Sequence, residues 1–191
     1  PAPDEKLNNS TLEGIDVNTN SIRDDVELAI FKLYPNSARI RSGALQYAKA
    51  MQMHFRKDVF NSEIFIAVLQ EKSRGNSCFY FAFPSKITKE MWEKNEKIIA
   101  EREKKATTII NKNSLEYNEY VWGDDETKRI NKIISQESKE STARNEAIQA
   151  LIFNNKQRKN KKEENYEKYM TSHGDVEGKE DCDINLSTPS N

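Results

Sequence analysis

The sequence contains few of the residues that define several common protein classes. Two cysteines in 191 residues are too few for a small fold held together by several disulfides. Six glycines and five prolines exclude collagen-like and glycine-rich low-complexity chains. No apolar run approaches the roughly 20 residues that span a bilayer, and the opening residues lack the basic start and apolar core of a secretory signal. These absences predict a soluble intracellular protein, either cytoplasmic or, in a eukaryote, nuclear.

Catalytic and metal-binding motifs are also missing from the sequence. Two histidines and two distant cysteines supply too few ligands for a zinc site. His54 and Asp58 are four residues apart, but no nucleophile accompanies them. Asp124, Asp125 and Glu126 could bind Mg²⁺, yet a helix cap with acids in its first turn also explains them. We therefore predict a protein that is not an enzyme and that uses no cofactor and no metal.

Charge is distributed unevenly along a chain whose formal net charge is only −1. Residues 1–27 carry seven acids against two bases, a net charge of −5. Residues 28–89 carry ten bases against three acids, a net charge of +7, and hold seven of the eight phenylalanines. No acid occurs between residues 28 and 57. A packed basic segment favours an anionic partner, although the acidic arm before it is an internal candidate for that role.

Hydropathy divides the chain into three parts. Residues 1–20 are polar with isolated apolar side chains, so we expect a disordered acidic arm. Residues 21–153 show the apolar spacing of helices and are expected to fold as a single domain. Beyond them the apolar content falls sharply, which predicts a charged, disordered tail over residues 154–191.

Most of the expected domain is helical. Apolar residues at three-to-four spacing predict helices at about residues 21–33, 37–55 and 88–112, around residues 130–134, and around residues 143–152. The short aromatic stretch 115–122 is expected to be a strand or a loop.

The aromatic stretch 78–83 decides the expected fold class. Its phenylalanines and tyrosine favour a strand, which Pro84 would end. The preceding segment 62–74 fits either a partner strand or a helix closed by Gly75. We therefore expect an α+β protein, predominantly helical, with a short aromatic hairpin and an order of elements compatible with a winged-helix arrangement. Cys78 is expected to be a buried, unreactive thiol within that hairpin.

The basic region supplies the leading functional hypothesis, a non-catalytic accessory or regulatory protein that contacts nucleic acid. The residues expected to bind phosphate are Lys32, Arg39, Arg41, Lys49, Arg56 and Lys57. A second basic cluster consists of Lys156, Arg158, Lys159, Lys161 and Lys162. That cluster fits a second nucleic-acid contact or a nuclear-localisation signal, and also a solvated helix extension.

The alternative hypothesis is a protein–protein module, either an assembly adaptor or an immunity-type protein, that does not bind nucleic acid. Its contact surface is expected on the charged helix 88–112 and at Tyr117, Tyr120 and Trp122, because tyrosine and tryptophan favour interfaces. The two hypotheses differ in a structural requirement. The nucleic-acid hypothesis needs its six cations on a common surface, where the acidic arm does not neutralise them.

Overall fold

A computed structural model describes residues 2–106, 114–170 and Cys182. Over these residues, helix is the only regular secondary structure. The described helices are α1 (Glu5–Asn8), α2 (Asp24–Leu33), α3 (Ala38–Gln52), α4 (Ser62–Phe81), α5 (Lys89–Ala106), α6 (Leu115–Trp122), α7 (Asp125–Ile152) and α8 (Lys156–Tyr169). Within the same ranges, no helix has both the length and the apolar character needed to cross a bilayer.

The predicted aromatic hairpin is wrong, and so is the α+β fold class. Residues 62–81 form a single helix, α4, and the described part of the chain contains no strand. The side chain of Asn61 caps α4 by accepting a hydrogen bond from the backbone N–H of Ile64 at 2.8 Å. Without a hairpin there is no wing, so the described chain is all-helical and has no winged-helix arrangement.

Other predicted elements differ in extent. Residues 115–122 form the helix α6, not a strand or a loop. The two helices expected around residues 130–134 and 143–152 are one continuous helix, α7. Of the helix expected at 88–112, α5 covers the part up to Ala106, and the positions from 107 onward lie outside the described residues.

Helices α3 and α4 pack with their backbones in direct contact. A Cβ atom on Gly43 of α3 would lie 3.0 Å from the Cα atom of Phe79. A Cβ atom on Gly75 of α4 would lie 2.9 Å from the Cα atom of Tyr47. Both distances are shorter than ordinary carbon contacts, so glycine at these positions is what lets the helices approach so closely.

The chain divides into two compact units. The first unit comprises residues up to Phe83 and from Arg144 onward, and the second comprises Pro84–Ala143. The largest core of the first unit includes Val26, Ile30, Tyr47, Met51 and Phe79, all at most 2% exposed. In the second unit, the hydroxyl of Thr127 donates a buried hydrogen bond to Oδ1 of Asn95 at 2.9 Å.

The buried Arg158 of α8 holds the N-terminal segment in the first unit. Its guanidinium donates to the backbone carbonyls of Asn8 (2.7 Å), Thr11 (3.2 Å) and Leu12 (2.9 Å) and to the side-chain oxygens of Asn9 (2.9 Å) and Asn154 (2.7 Å). The expected disordered arm and tail therefore include residues that hydrogen bond to each other, and α8 itself lies in the expected tail.

A second buried arginine, Arg23, attaches the start of α2 to the end of α7. Its guanidinium donates to the carbonyls of Leu151 at 2.8 Å and Ile152 at 3.0 Å. It also forms an ion pair with Asp25 at 2.8 Å. This pairing contributes to holding the pKa of the Asp25 carboxyl below its usual value, against the effect of burial.

The two cysteines form a disulfide, so the expectation that Cys78 is a free thiol is wrong. The Cα atoms of Cys78 and Cys182 are 5.1 Å apart, within the range that a disulfide requires. Cys78 is buried on α4, and Cys182 is half-buried. The bond joins α4 to a point in the chain beyond α8.

Candidate binding surface

The predicted phosphate-binding residues fall into two groups at opposite ends of α3. Arg39 and Arg41 lie in the first turn of α3, and Lys32 lies near the end of α2 that precedes it. Arg56 and Lys57 follow the other end of α3. Because α3 has 15 residues, these two groups are separated by about 22 Å along the helix axis. Lys49 is exposed in the last turn of α3, so along the helix axis it lies closer to Arg56 and Lys57.

Neighbouring carboxylates already pair with the cations beyond the end of α3. Arg56 donates two hydrogen bonds to the carboxylate of Asp58, at 3.0 and 2.9 Å. The Nζ atom of Lys57 lies 3.8 Å from Oε2 of Glu13, a residue of the acidic arm. These residues line a cleft of about 380 Å³ that also contains Asp16. Arg23 also lines the cleft, so its charged side chains are three acids and three bases. The cleft therefore has no net attraction for a polyanion.

The second basic cluster does not form a continuous basic surface either. Arg158 is buried, and burial lowers its pKa to about 10. Lys161 is paired with Glu164 at 2.9 Å. The Nζ atom of Lys162 lies 4.8 Å from the ring centroid of Phe153. The other two cations, Lys156 and Lys159, are exposed on α8.

At the start of α3, arginines and aromatic rings combine into one surface. Nη2 of Arg39 donates to the backbone carbonyl of Phe81, the last residue of α4, at 2.7 Å. Nη1 of Arg41 donates to the carbonyls of Tyr34 at 2.9 Å and Pro35 at 2.7 Å. The guanidinium carbon of Arg41 also lies 5.1 Å from the ring centroid of Phe31. The ends of α2 and α4 and the start of α3 thus meet here.

The same surface continues across α4 to Arg144 of α7. The guanidinium carbon of Arg144 lies 3.9 Å from the ring centroid of Phe83, which meets the ring of Tyr34 edge-on at 6.0 Å. The ring of Tyr80 meets that of Phe81 edge-on at 5.2 Å. We call the surface formed by Arg39, Arg41, Arg144, Phe31, Tyr80, Phe81 and Phe83 the arginine–aromatic face.

The arginine–aromatic face is both cationic and apolar. Phe31 is 50% exposed, Phe81 44% and Tyr80 39%. Apart from Arg144, all its residues come from segments 28–57 and 72–89, neither of which contains an aspartate or glutamate. The face therefore carries positive charge beside solvent-exposed rings, and apart from α7, which also contains Glu140 and Glu146, the segments that supply it contain no acid.

The interface residues predicted in the second unit are partly covered. Tyr117 is half-buried, whereas Tyr120 and Trp122 are exposed at 38% and 43%. Arg102 of α5 donates to the carbonyl of Tyr120 at 2.7 Å, and its guanidinium carbon lies 5.1 Å from the ring centroid of Tyr120. The structure therefore brings α5 and α6 together, as the alternative hypothesis requires, but one side of the Tyr120 ring already has a cation against it.

The residues considered for catalysis are not arranged as a catalytic group. His54 is 2% exposed, its Nδ1 lies 3.2 Å from the carbonyl oxygen of Ala50, and burial lowers its pKa to about 4. Asp58 is exposed and paired with Arg56. Oδ1 of Asp124 accepts a hydrogen bond from the backbone N–H of Glu126 at 3.0 Å, as in a helix cap.

Comparison with known proteins gives no further guide to function. No protein-family model, no curated protein and no solved structure matches the chain. The arginine–aromatic face is therefore the basis for inferring function.

Proposed function

We propose that this protein is a non-catalytic binding module whose arginine–aromatic face docks an acidic segment of a partner protein. The observation that carries the proposal is the combination of exposed rings with Arg39 and Arg41, which come from a segment without aspartate or glutamate. Arginine and aromatic side chains dominate the energetic centres of protein interfaces. Complementary charge adds specificity and speeds association.

The hydrogen bonds of Arg39 and Arg41 favour recognition of a carboxylate. Each guanidinium has five N–H donors, and the bonds to backbone carbonyls involve Nη2 of Arg39 and Nη1 of Arg41. These bonds fix the planar groups before a partner arrives, which reduces the entropy lost on binding. The remaining donors of Arg41 can pair with a carboxylate of the partner.

The distribution of cations favours a protein partner over nucleic acid. Affinity for a polyanion grows with the number of phosphates that the protein neutralises. Of the six predicted cations, Arg39 and Arg41 lie at the face, whereas Arg56 and Lys57 are already paired. A nucleic-acid contact would therefore be small, whereas exposed rings suit an acidic segment that also carries apolar side chains.

The disulfide supports a different compartment from the one that the sequence predicts. Disulfides persist in oxidising compartments and are rare in the cytosol and nucleus. The only two cysteines of the chain are bonded to each other. We therefore propose that the protein spends part of its life in an oxidising compartment.

Binding of a synthetic acidic peptide tests the proposed function. The probe is a short fluorescein-labelled peptide of alternating glutamate and leucine, and its binding to the full chain is measured by fluorescence anisotropy. The double variant Arg39→Gln/Arg41→Gln should bind at least about tenfold more weakly, since charge-assisted hydrogen bonds are worth about 1.5–3 kcal/mol each. The matched control Arg56→Gln/Lys57→Gln removes the same charge from the other end of α3 and should bind like the parent.

Further measurements separate the other outcomes. Circular dichroism checks that each variant is folded, and Phe31→Ser/Phe81→Ser tests the face without altering any arginine. Equal losses in the face variant and its control would indicate unspecific charge attraction and overturn the proposal. If an oligothymidylate of equal charge binds more tightly than the peptide, and Arg39→Gln/Arg41→Gln loses that binding, then nucleic acid is the favoured partner instead.

A further inference from the structure

We propose that residues 16–27 form a calcium-binding loop. Oxygen-bearing side chains occur along this segment at the spacing of an EF-hand loop, and the structure brings those from its two ends against Asn20 in its middle. Calcium is a hard cation that takes about six to eight oxygen ligands, including carboxylates and amide carbonyls. None of these residues belongs to the arginine–aromatic face, so the inference does not depend on the proposed function.

The sequence of the loop follows the EF-hand pattern by position. That pattern takes side-chain oxygens from positions 1, 3, 5 and 9, a backbone carbonyl from position 7, and both carboxylate oxygens of a glutamate from position 12. Counted from residue 16, positions 1, 3, 5, 7, 9 and 12 are Asp16, Asn18, Asn20, Ile22, Asp24 and Glu27. Each position therefore holds a residue that can supply the required oxygen, and two of the five side chains are amides.

The chain departs from the pattern at position 6, where Ser21 replaces glycine. Glycine is favoured there because the loop turns sharply, and glycine takes a positive φ without steric cost. The φ of Ser21 is +71°, so the backbone takes the left-handed conformation even with a side chain present. The departure thus changes the residue but keeps the turn.

Glu27, in the first turn of α2, reaches back to the middle of the loop. Its Oε2 accepts a hydrogen bond from Nδ2 of Asn18 at 3.2 Å, and its Oε1 accepts one from Nδ2 of Asn20 at 2.6 Å. The carboxylate of Asp16 accepts the backbone N–H groups of Asn20 at 3.2 Å and Ser21 at 2.8 Å. Residues at positions 1, 3, 5 and 12 thus form one network. Calcium would replace the two bonds between amide and carboxylate, because each amide would then turn its oxygen to the ion.

The kinds of ligand favour calcium over a transition metal. In the part of the chain that the structure describes, no three histidine, cysteine, aspartate or glutamate side chains are grouped to hold a metal ion by themselves. An ion in the loop must therefore also take amide and backbone oxygens, which suit hard cations. Oδ1 of Asp24 accepts the backbone N–H of Val17 at 3.2 Å, which fits position 9, where the ligand often acts through a water molecule. The one base of the loop, Arg23, is buried and paired with Asp25, which holds no ligand position.

The rest of the first unit holds both ends of the turn in place. Oδ1 of Asn8 accepts the backbone N–H of Ile15, just before the loop, at 2.8 Å. Nε2 of Gln52 donates to the carbonyl of Ser21 at 2.9 Å, and its Oε1 accepts the backbone N–H of Arg23 at 3.3 Å. A backbone fixed in this way loses little conformational freedom when an ion binds.

Calorimetric titration of the full chain with calcium chloride, after a chelator has removed bound metal, tests the inference. Three acids among the ligands is a low charge count, so we expect one ion per chain with a Kd of about 10⁻⁴–10⁻³ M. Magnesium chloride should bind at least about tenfold more weakly, because Mg²⁺ demands near-ideal octahedral geometry. Glu27→Gln and Asp16→Asn should each weaken calcium binding at least about tenfold, since each removes a charged ligand.

The matched control is Glu13→Gln, which removes an acid beside the loop that holds no ligand position and should bind calcium like the parent. Absence of calcium binding by the parent overturns the inference, and so does magnesium binding as tight as calcium binding. An equal loss in Glu13→Gln and Glu27→Gln also overturns it, because that result would indicate general attraction of cations to the acidic arm. Circular dichroism without calcium checks that each variant is folded, and Asp16→Asn decides the matter if Glu27→Gln is not.

Discussion

Two buried arginines hold segments of the fold that are far apart in the sequence. Arg23 and Arg158 are each at most 1% exposed, although arginine is among the residues least often buried. In the sequence, Arg158 is one cation in a basic run, with nothing to distinguish it from Lys159. Its function depends on carbonyls about 150 residues away in the chain, a relation that local pattern does not contain.

The buried His54 predicts a specific dependence of stability on pH. In the unfolded chain it takes up a proton near pH 6.5, whereas burial in the folded state lowers its pKa to about 4. The unfolded state therefore binds more protons between these values, so stability should fall as the pH is lowered through this window and be unaffected above it. The full loss is about 3 kcal/mol.

Urea unfolding at a series of pH values measures this effect. His54→Gln should lose the dependence between pH 6.5 and 4, whatever its stability at neutral pH. The depressed pKa of Asp25 affects stability only below that window, because an aspartate ordinarily titrates near 3.8. An unchanged pH profile in His54→Gln would show that other groups cause the loss.

At the scale of the element, α4 shows how tertiary packing overrides local preference. The phenylalanines and tyrosine near its end favour strands, but α4 buries Phe65, Val68, Gly75 and Phe79 at intervals that fit a helix. Gly75 conceals this pattern in the sequence, since it contributes close backbone contact in place of an apolar side chain. Helices α2, α3 and α5 were predictable because apolar side chains recur at three-to-four spacing along each of them.

The glycine contact between α3 and α4 predicts that Gly75→Ala is destabilising. In an exposed helix, alanine would be about 1 kcal/mol more favourable than glycine. Here the added Cβ would lie 2.9 Å from the Cα atom of Tyr47, and a backbone atom cannot rotate away. We expect a net loss of about 1–3 kcal/mol in chemical denaturation. Gln70→Ala, at an exposed position of the same helix, is the matched control, and equal stability of the two variants would contradict the contact.

At the scale of the whole molecule, summing charge by segment predicted only part of the candidate site. The sums placed a net charge of +7 in residues 28–89, and two of the cations there, Arg39 and Arg41, lie at the arginine–aromatic face. They could not show that Glu13 approaches Lys57 or that Arg144 of α7 joins Phe83, because these contacts link segments distant in sequence. The acidic arm thus pairs with the basic region at Lys57, beyond α3.

Arg158 joins the two ends of the described chain, and its loss should affect the whole first unit. Arg158→Leu leaves the carbonyls of Asn8 and Leu12 buried without a donor, and each unsatisfied group costs about 1–3 kcal/mol. We expect destabilisation of at least about 3 kcal/mol in urea unfolding. Hydrogen exchange at the Ile15 amide, which donates to Asn8 at 2.8 Å, should become faster. Lys159→Leu changes the exposed neighbour, and a loss of stability equal to that of Arg158→Leu would contradict this account.

The attachment of the N-terminal segment has a practical consequence for protein production. A recombinant fragment started at residue 21, where hydropathy alone places the domain boundary, would delete the carbonyls that satisfy Arg158. A guanidinium group would then face a solvent-filled gap at the surface of an exposed core. Poor yield of such a fragment would reflect a missing piece of the fold, and boundary choice should begin upstream of Asp4, whose side chain caps the first helical turn.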